Sequence, residues 1–368
     1  ITASQLIKLI GHKSGIGLSE MMNYPGVINC DQDVINKLEI FQKGHVDGHA
    51  PRLSGKDLNA YIAGGIKTEH EATTKHEALE KLQKGMRILI REGSVSKDLK
   101  ALHSILNDQT SPYICLCTDD RNPLDISEHG HIDYMIRTLI SLGVKPLNAY
   151  RSASLSAAEA FGLTDRGIIA PGKKADVVAV QNLDTCKAKL VLCGGKVIDE
   201  KSFSSKNIIP SIGRKSVKSQ LLDETKFIVN DQSESTNVIG IIEGKIITDH
   251  LNESIPIIKG DKKPDASRDL IRVTVIERHG KNNNIANGFV HGFGLQKGAI
   301  ASTVAHDHHN IVAIGVDYKD MTIACNRIKE IEGGFVIASE GEVISELPLP
   351  IAGLMSLNSF EDVRDALI

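Results

Sequence analysis

HVDGHAPRLSGKDLNAYIAGGIKTEHE, residues 45–71, is the stretch whose reading decides the fold. A short run closes on His49, Ser54 opens a helical segment, Gly64 and Gly65 stop it, and a second short run closes on His70. This is one strand–helix–strand unit with a metal-type side chain at the end of each strand. The pattern extends both ways. Glu20 closes GIGLSE, a further apolar run ends near Ile90, and Asp119 closes YICLCTD. From Glu20 to His49, His70, Ile90 and Asp119 the steps are 29, 21, 20 and 29 residues, about one βα unit each. Asp31 to Lys43 and Ala72 to Gly85 read as further amphipathic helices between these runs. Parallel strands with helical crossovers are expected, with reactive side chains at the C-terminal strand ends. Two carboxylates and two imidazoles brought from different strands suit a binuclear hydrolytic metal site.

Composition narrows the class of ligand. The 368 residues are 41% hydrophobic and 24% charged, which supports a real core. With 43 basic and 46 acidic residues mixed along the chain, the net charge of -3 favours neither nucleic acid nor an anionic membrane as partner. A small-molecule substrate is expected. No run is long and apolar enough to span a membrane, and no leader pattern opens the sequence, so a cytosolic location is expected. Six scattered cysteines lack zinc spacing and read as reduced. Cys115 and Cys117 alternate within one run, which puts both on one face of a strand with Asp119 continuing that alternation.

Beyond a helix at Ile132 to Ser141 the text changes. LNAYRSASLSAAEAFGL reads as one more helix, followed by short strands in DRGIIAPGKKADVVAVQN and KLVLCGGKVI. The remainder mixes strands (IGIIEGKII, IRVTVIERHG, NIVAIGVD, GGFVIASEGEVI) with the helix MTIACNRIKEIEG. The division expected is residues 1–160, a small β element at 161–205, and a separate α+β domain at 206–368. GGKVID and EGKIITD read as similar hairpins rather than a repeat.

Longer phrases carry a family resemblance. LSEMMNYPGV, DGHAPRLSGKDLNAYIAGGIKTEHE, CTDDRNP and GIIAPGKKADVV resemble the adenine deaminases of the amidohydrolase superfamily. HGFGLQKGAIASTVAHDHHNIVAIG and LPLPIAGLMS resemble the extra C-terminal domain of those enzymes. The resemblance implies an α/β fold: a partial (β/α)8 barrel comprising about strands 4–8, with the small β element and the C-terminal domain attached. It also implies hydrolysis of adenine to hypoxanthine and ammonia at a divalent metal site, manganese or iron, binuclear in a complete barrel, in a homo-oligomer. Glu20 matches the strand-four glutamate that bridges metals, His49 and His70 the ligands of strands five and six, and Asp119 the strand-eight aspartate. Asp119 and Glu20 are the residues expected to be catalytic, with Asp119 as proton shuttle.

Each residue has a plainer reading. Glu20 could start a helix, His49 could sit in a loop, His70 could pair with its glutamate neighbours, and Asp119 could form an Asx turn. Four such coincidences, in order and at unit spacing, are less economical than one site. Glu71, Asp120, Arg91 and Ser94 are placed as substrate-binding candidates; ion pairing or a charged loop is the alternative for each. His306, Asp307 and His309 are candidates for an auxiliary site, against the simpler reading of a turn between strands. The resemblance also implies a His-x-His strand and two further βα units ahead of Glu20, and His12 has no second histidine two positions away. A fragment, a split subunit that needs a separate N-terminal chain, and a homologue that binds purine or metal without turnover are the three expectations; the fragment is preferred. Cyclic-amide hydrolysis at the same strand-end ligands is the rival chemistry.

Overall fold

The computed structural model describes residues 1–9, 12, 15–203, 211–305 and 307–368. The chain divides into two compact units: Ile1–Arg121 with Glu128–Lys206, and Asn122–Ser127 with Asn207–Ile368.

The first unit is built on five strands in sequence order, β1 (Gly17–Met21), β2 (His45–Gly48), β3 (Thr68–Glu69), β4 (Arg87–Arg91) and β5 (Ile114–Cys117), every neighbouring pair parallel. Helices Gln32–Ile40, Gly55–Ala63 and Lys75–Gln83 form the successive crossovers. Their limits follow local chemistry. The Asp31 carboxylate caps the first of them through the Asp33 amide, Gly64 ends the second, and Thr74 caps the third through the Glu77 amide. The sequence expectation of strand–helix alternation over this region therefore holds.

Alternation along the strands separates two faces. Ile88, Ile90, Ile114 and Leu116 point into one buried apolar cluster with Leu99, Leu102, Met135 and Leu139. Leu18, Met21, Val46, Leu58 and Tyr61 form another. The opposite parity carries His45, Asp47 and His49, then Thr68 and His70, then Arg91, then Cys117 and Asp119. One side of the sheet is thus apolar and helix-covered, and the other is polar and charged.

One detail departs from the sequence reading. The single helix expected over residues 147–163 is two, Pro146–Ala153 and Leu155–Ala160, broken at Ser154. The Ser154 hydroxyl donates to the Tyr150 carbonyl at 2.6 Å, a local bond that competes with continuation of the helix. Beyond it, β6 (Val177–Val180), β7 (Ala188–Cys193) and β8 (Lys196–Val197) form a small antiparallel sheet. It belongs to the same compact unit as the parallel sheet.

The second unit centres on eight strands: β9 (Thr236–Gly240), β10 (Asp249–Glu253), β13 (Leu270–Ile276), β14 (Ile285–His291), β15 (Ala299–Ser302), β16 (Ile311–Gly315), β17 (Gly334–Ser339) and β18 (Glu342–Pro348). They run in the order β10-β9-β14-β13-β16-β15-β17-β18 and are antiparallel except at β14/β9; β11 (Ile257–Ile258) and β12 (Asp261–Lys262) pair separately. The helix Tyr318–Glu330, capped by Asp317, buries Met321, Ala324, Cys325 and Ile328 against β-sheet residues Ala299, Ala301, Ala313, Val336 and Ala338. All six cysteines of the chain are free thiols, as the sequence suggests.

Candidate metal centre

Every expected ligand lies within two residues of a strand's C-terminal end. Glu20 is the fourth residue of β1, His49 follows β2, His70 follows β3, and Asp119 lies two residues after β5. An irregularity in the β1/β2 register between Leu18 and Met21 lets both apolar side chains enter the core while Glu20 turns toward the histidines. Asp119 takes a left-handed backbone conformation (φ 53°), which aspartate tolerates better than most residues.

The side chains converge. Glu20 Oε2 lies 2.9 Å from His70 Nε2 and Glu20 Oε1 lies 3.5 Å from His49 Nδ1. Glu71 Oε1 lies 3.3 Å from His70 Nε2 and 3.5 Å from His49 Nδ1. Among the described residues, donor atoms fall within 4.8 Å of one another in two groups, Glu20/His49/His70 and His70/Glu71/Asp119. They share His70, so the four expected ligands and Glu71 make one continuous centre. Ligands about 2.0–2.2 Å from a single ion are separated from each other by roughly 3–3.5 Å. The observed spacings fit that geometry, and two imidazoles with three carboxylates form a donor set suited to a divalent first-row metal.

Buried charges around the centre act on one another. Burial pushes Glu20 up, but hydrogen bonds to His49 and His70 outweigh it and hold the carboxyl at about 2. Burial pushes His70 down, yet Glu20, Asp47 and Glu71 raise it to about 9. Asp47 Oδ2 stands 3.7 Å from His70 Nδ1, on the ring edge opposite Glu20. A carboxylate on the second nitrogen orients an imidazole toward its ligand.

Arg91 sits at the end of β4 and is 1% exposed. Its guanidinium donates to both Glu71 oxygens, with Nη2 2.9 Å from Oε2, and Nη1 donates to Asp119 Oδ2 at 2.9 Å. Burial pulls its pKa down, and the two carboxylates more than reverse this. The sequence places Arg91 on the substrate pocket; in the structure its guanidinium is paired with Glu71 and Asp119. Asp120 and Ser94 are half-buried nearby in the chain, and the Asp120 carboxylate comes within 2.5 Å of where a Cβ on Gly93 would stand.

Tyr61 escaped the sequence reading. Its hydroxyl donates to the Met21 carbonyl at 2.6 Å and accepts the His49 amide at 3.0 Å, joining the ends of β1 and β2. Burial pushes the phenol up, so it remains a donor. Gly48 makes room for it: a Cβ there would stand 2.8 Å from the Tyr61 hydroxyl, 2.7 Å from the Thr68 carbonyl and 2.6 Å from Ile66. The only sequence signal was a tyrosine on the buried stripe of its helix.

The auxiliary cluster is partly outside view. His306 lies outside the described residues, Asp307 is exposed, and His309 is half-buried with a left-handed backbone (φ 51°). The His309 amide donates to the Ala305 carbonyl at 2.7 Å, and its own carbonyl accepts from Arg278. Neither donor group within 4.8 Å includes Asp307 or His309.

Residues 3–198 match the model of the amidohydrolase family. The chain belongs to that family. Residues 245–368 of this amidohydrolase match the adenine deaminase C-terminal domain. A relative from Cereibacter sphaeroides called adenine deaminase is 60% identical over 368 residues, covering 100% of this chain and 65% of its own length. One of the same name from Brucella suis is 54% identical over 362 residues, covering 98% of this chain and 62% of its own. The amidohydrolase chain therefore spans somewhat less than two thirds of these relatives. A solved β-aspartyl dipeptidase from Fervidobacterium islandicum AW-1 is 14% identical with a TM-score of 0.39, covering 52% of this chain and 60% of that one. No helix of the described residues is long and apolar enough to cross a membrane.

Proposed function

We propose that this amidohydrolase takes part in the hydrolysis of adenine to hypoxanthine and ammonia. The observation that carries the reading is the convergence of Glu20, His49, His70, Glu71 and Asp119 from four strand ends, in a chain whose C-terminal part matches the adenine deaminase C-terminal domain. Glu20, His49, His70 and Asp119 would hold a divalent metal, manganese or iron, and the resemblance implies two ions in a complete barrel. Such an ion supplies a nucleophilic water for C6 of the purine at neutral pH.

The chain's own residues do the rest. Asp119, with its side chain about one third exposed while Arg91 holds it, takes a proton from the attacking water and returns it to the departing ammonia. Arg91 keeps Glu71 and Asp119 apart in charge and fixed in direction. Glu71 presents one oxygen toward both histidines, where it orients the reacting groups, and Asp120 and Ser94 are proposed to face the purine.

The five parallel strands are proposed as strands 4–8 of a (β/α)8 barrel. Support comes from their sequential order, the polar inner face and the two strand edges at β1 and β5. A preceding segment with a His-x-His strand would complete both barrel and site. The three-part division at residues 160 and 205, a homo-oligomer and a cytosolic setting rest on the sequence reading and the resemblance.

The test is release of ammonia and hypoxanthine from adenine by the manganese-loaded protein in a completed barrel. Glu20→Ala and Asp119→Ala are each expected to abolish turnover; retained turnover in either removes that residue's role. Product from dihydroorotate or hydantoin in place of adenine removes the substrate assignment.

A further inference from the structure

Behind the candidate centre, on the helix-covered side, lies a buried ionic cluster. Lys81 and Glu69 are fully buried and Glu77 is 9% exposed. In sequence Glu77 and Lys81 form an i,i+4 pair on an amphipathic helix, which ordinarily faces solvent. Here the Lys81 ammonium has three acceptors: the Ala50 carbonyl at 2.8 Å, Glu77 Oε1 at 2.7 Å and Glu69 Oε1 at 3.2 Å. Those match the three protons of an ammonium group.

What the cluster touches gives it a role. Ala50 follows His49, and Glu69 precedes His70 while accepting the Glu71 amide at 2.6 Å. Glu77 accepts the Arg52 amide at 2.7 Å and the Thr73 amide at 3.3 Å. Both loops that follow the histidine-bearing strands are therefore tied to one point. A buried charge cluster of this kind contributes little net stability, because desolvation offsets attraction, so its presence favours a geometric role.

We infer that Lys81, with Glu69 and Glu77, is a positioning group for the metal centre: it clamps the β2 and β3 loops so that His49 and His70 keep their mutual geometry. The inference rests on the metal reading proposed above. Lys81 touches no ligand atom and is not a catalytic residue.

Manganese affinity of the completed barrel, measured by competition with a chelator on protein shown to be folded by circular dichroism, tests it. Lys81→Met strands two buried carboxylates and is expected to lose affinity at least about tenfold, the usual effect of removing a group that supports a ligand. Because that variant can also fail to fold, Lys81→Met/Glu69→Gln/Glu77→Met supplies a neutral, well-filled replacement. It is expected to stay folded and still lose about tenfold or more. Equal affinity in the folded triple variant overturns the inference. In the parent chain, manganese should slow hydrogen exchange at the Arg52 and Thr73 amides, because coupling between site and clamp is reciprocal. Unchanged exchange on manganese binding also overturns it. A completed barrel that carries Lys81, Glu69 and Glu77 and binds no manganese removes the metal reading itself, and this inference with it.

Discussion

In metal-free protein the Glu20–His70 pair should dominate how stability depends on pH. His70 is held at about 9 against an ordinary 6.5, because Glu20, Asp47 and Glu71 outweigh its burial, and Glu20 at about 2 against 4.5, because hydrogen bonds to His49 and His70 outweigh its own. For His70 the gap corresponds to about 3 kcal/mol. The Glu20 gap shares the Glu20–His70 interaction with it, and includes His49 besides, so the two are not summed. A raised histidine stabilises fully below its unfolded value, so this contribution is present below 6.5 and is lost as pH rises through 9. A depressed carboxyl stabilises above its unfolded value, so the contribution is lost as pH falls from 4.5 through 2. Chelated protein should therefore be most stable, as far as this pair is concerned, between about 4.5 and 6.5. Metal must displace the His70 proton, so apparent manganese affinity should rise roughly tenfold per pH unit until about 9. Glu20→Gln removes the strongest of the anions that raise His70, so its titration should move down even with Asp47 and Glu71 still in place. The assay is the pH titration of the His70 ring by NMR, with denaturant unfolding at matched pH. A His70 that titrates at or below 6.5 in the chelated parent, or a Glu20→Gln variant that leaves its titration unmoved, refutes this account.

Gly48→Ala should cost about 1–3 kcal/mol, since the new Cβ meets Ile66, the Thr68 carbonyl and the Tyr61 hydroxyl within 2.8 Å; urea unfolding reads it, and a loss under about 0.5 kcal/mol contradicts the packing. Tyr61→Phe removes the partner of both the Met21 carbonyl and the His49 amide, with an expected cost of about 1–3 kcal/mol and faster exchange at the His49 amide. Arg91→Met leaves the Glu71 and Asp119 carboxylates without their counter-charge, which should cost about 3–5 kcal/mol in thermal unfolding. A neutral outcome there would mean that the two carboxylates share a proton or reorient.

Much of the fold was legible because its signals are local. Caps at Asp31 and Thr74 and the stop at Gly64 set helix limits through backbone groups a few residues away. The alternation of Cys115, Cys117 and Asp119 set which side chains share a face, because strand geometry has period two. The break at Ser154 was missed because it depends on one side-chain hydrogen bond that propensity does not register. The buried partnerships of Tyr61, Arg91 and Lys81 were not legible for a different reason. Each has a partner 20 to 40 residues away in sequence, Met21 for Tyr61, Glu71 for Arg91 and Ala50 for Lys81, and a hydroxyl, a guanidinium and an ammonium on amphipathic elements are ordinarily solvated.

Taken alone, the sequence determined that this is a strand–helix protein and which residues end its strands, since those features follow from short-range periodicity and residue chemistry; the amidohydrolase type came from the resemblance of its longer phrases. Only the tertiary structure decided that Glu71 joins Glu20, His49, His70 and Asp119, that Arg91 is consumed by two of them, and that Lys81 is buried behind them. Those outcomes depend on the register of parallel strands and on what the crossover helices exclude from water, and neither is written in any one segment of the chain.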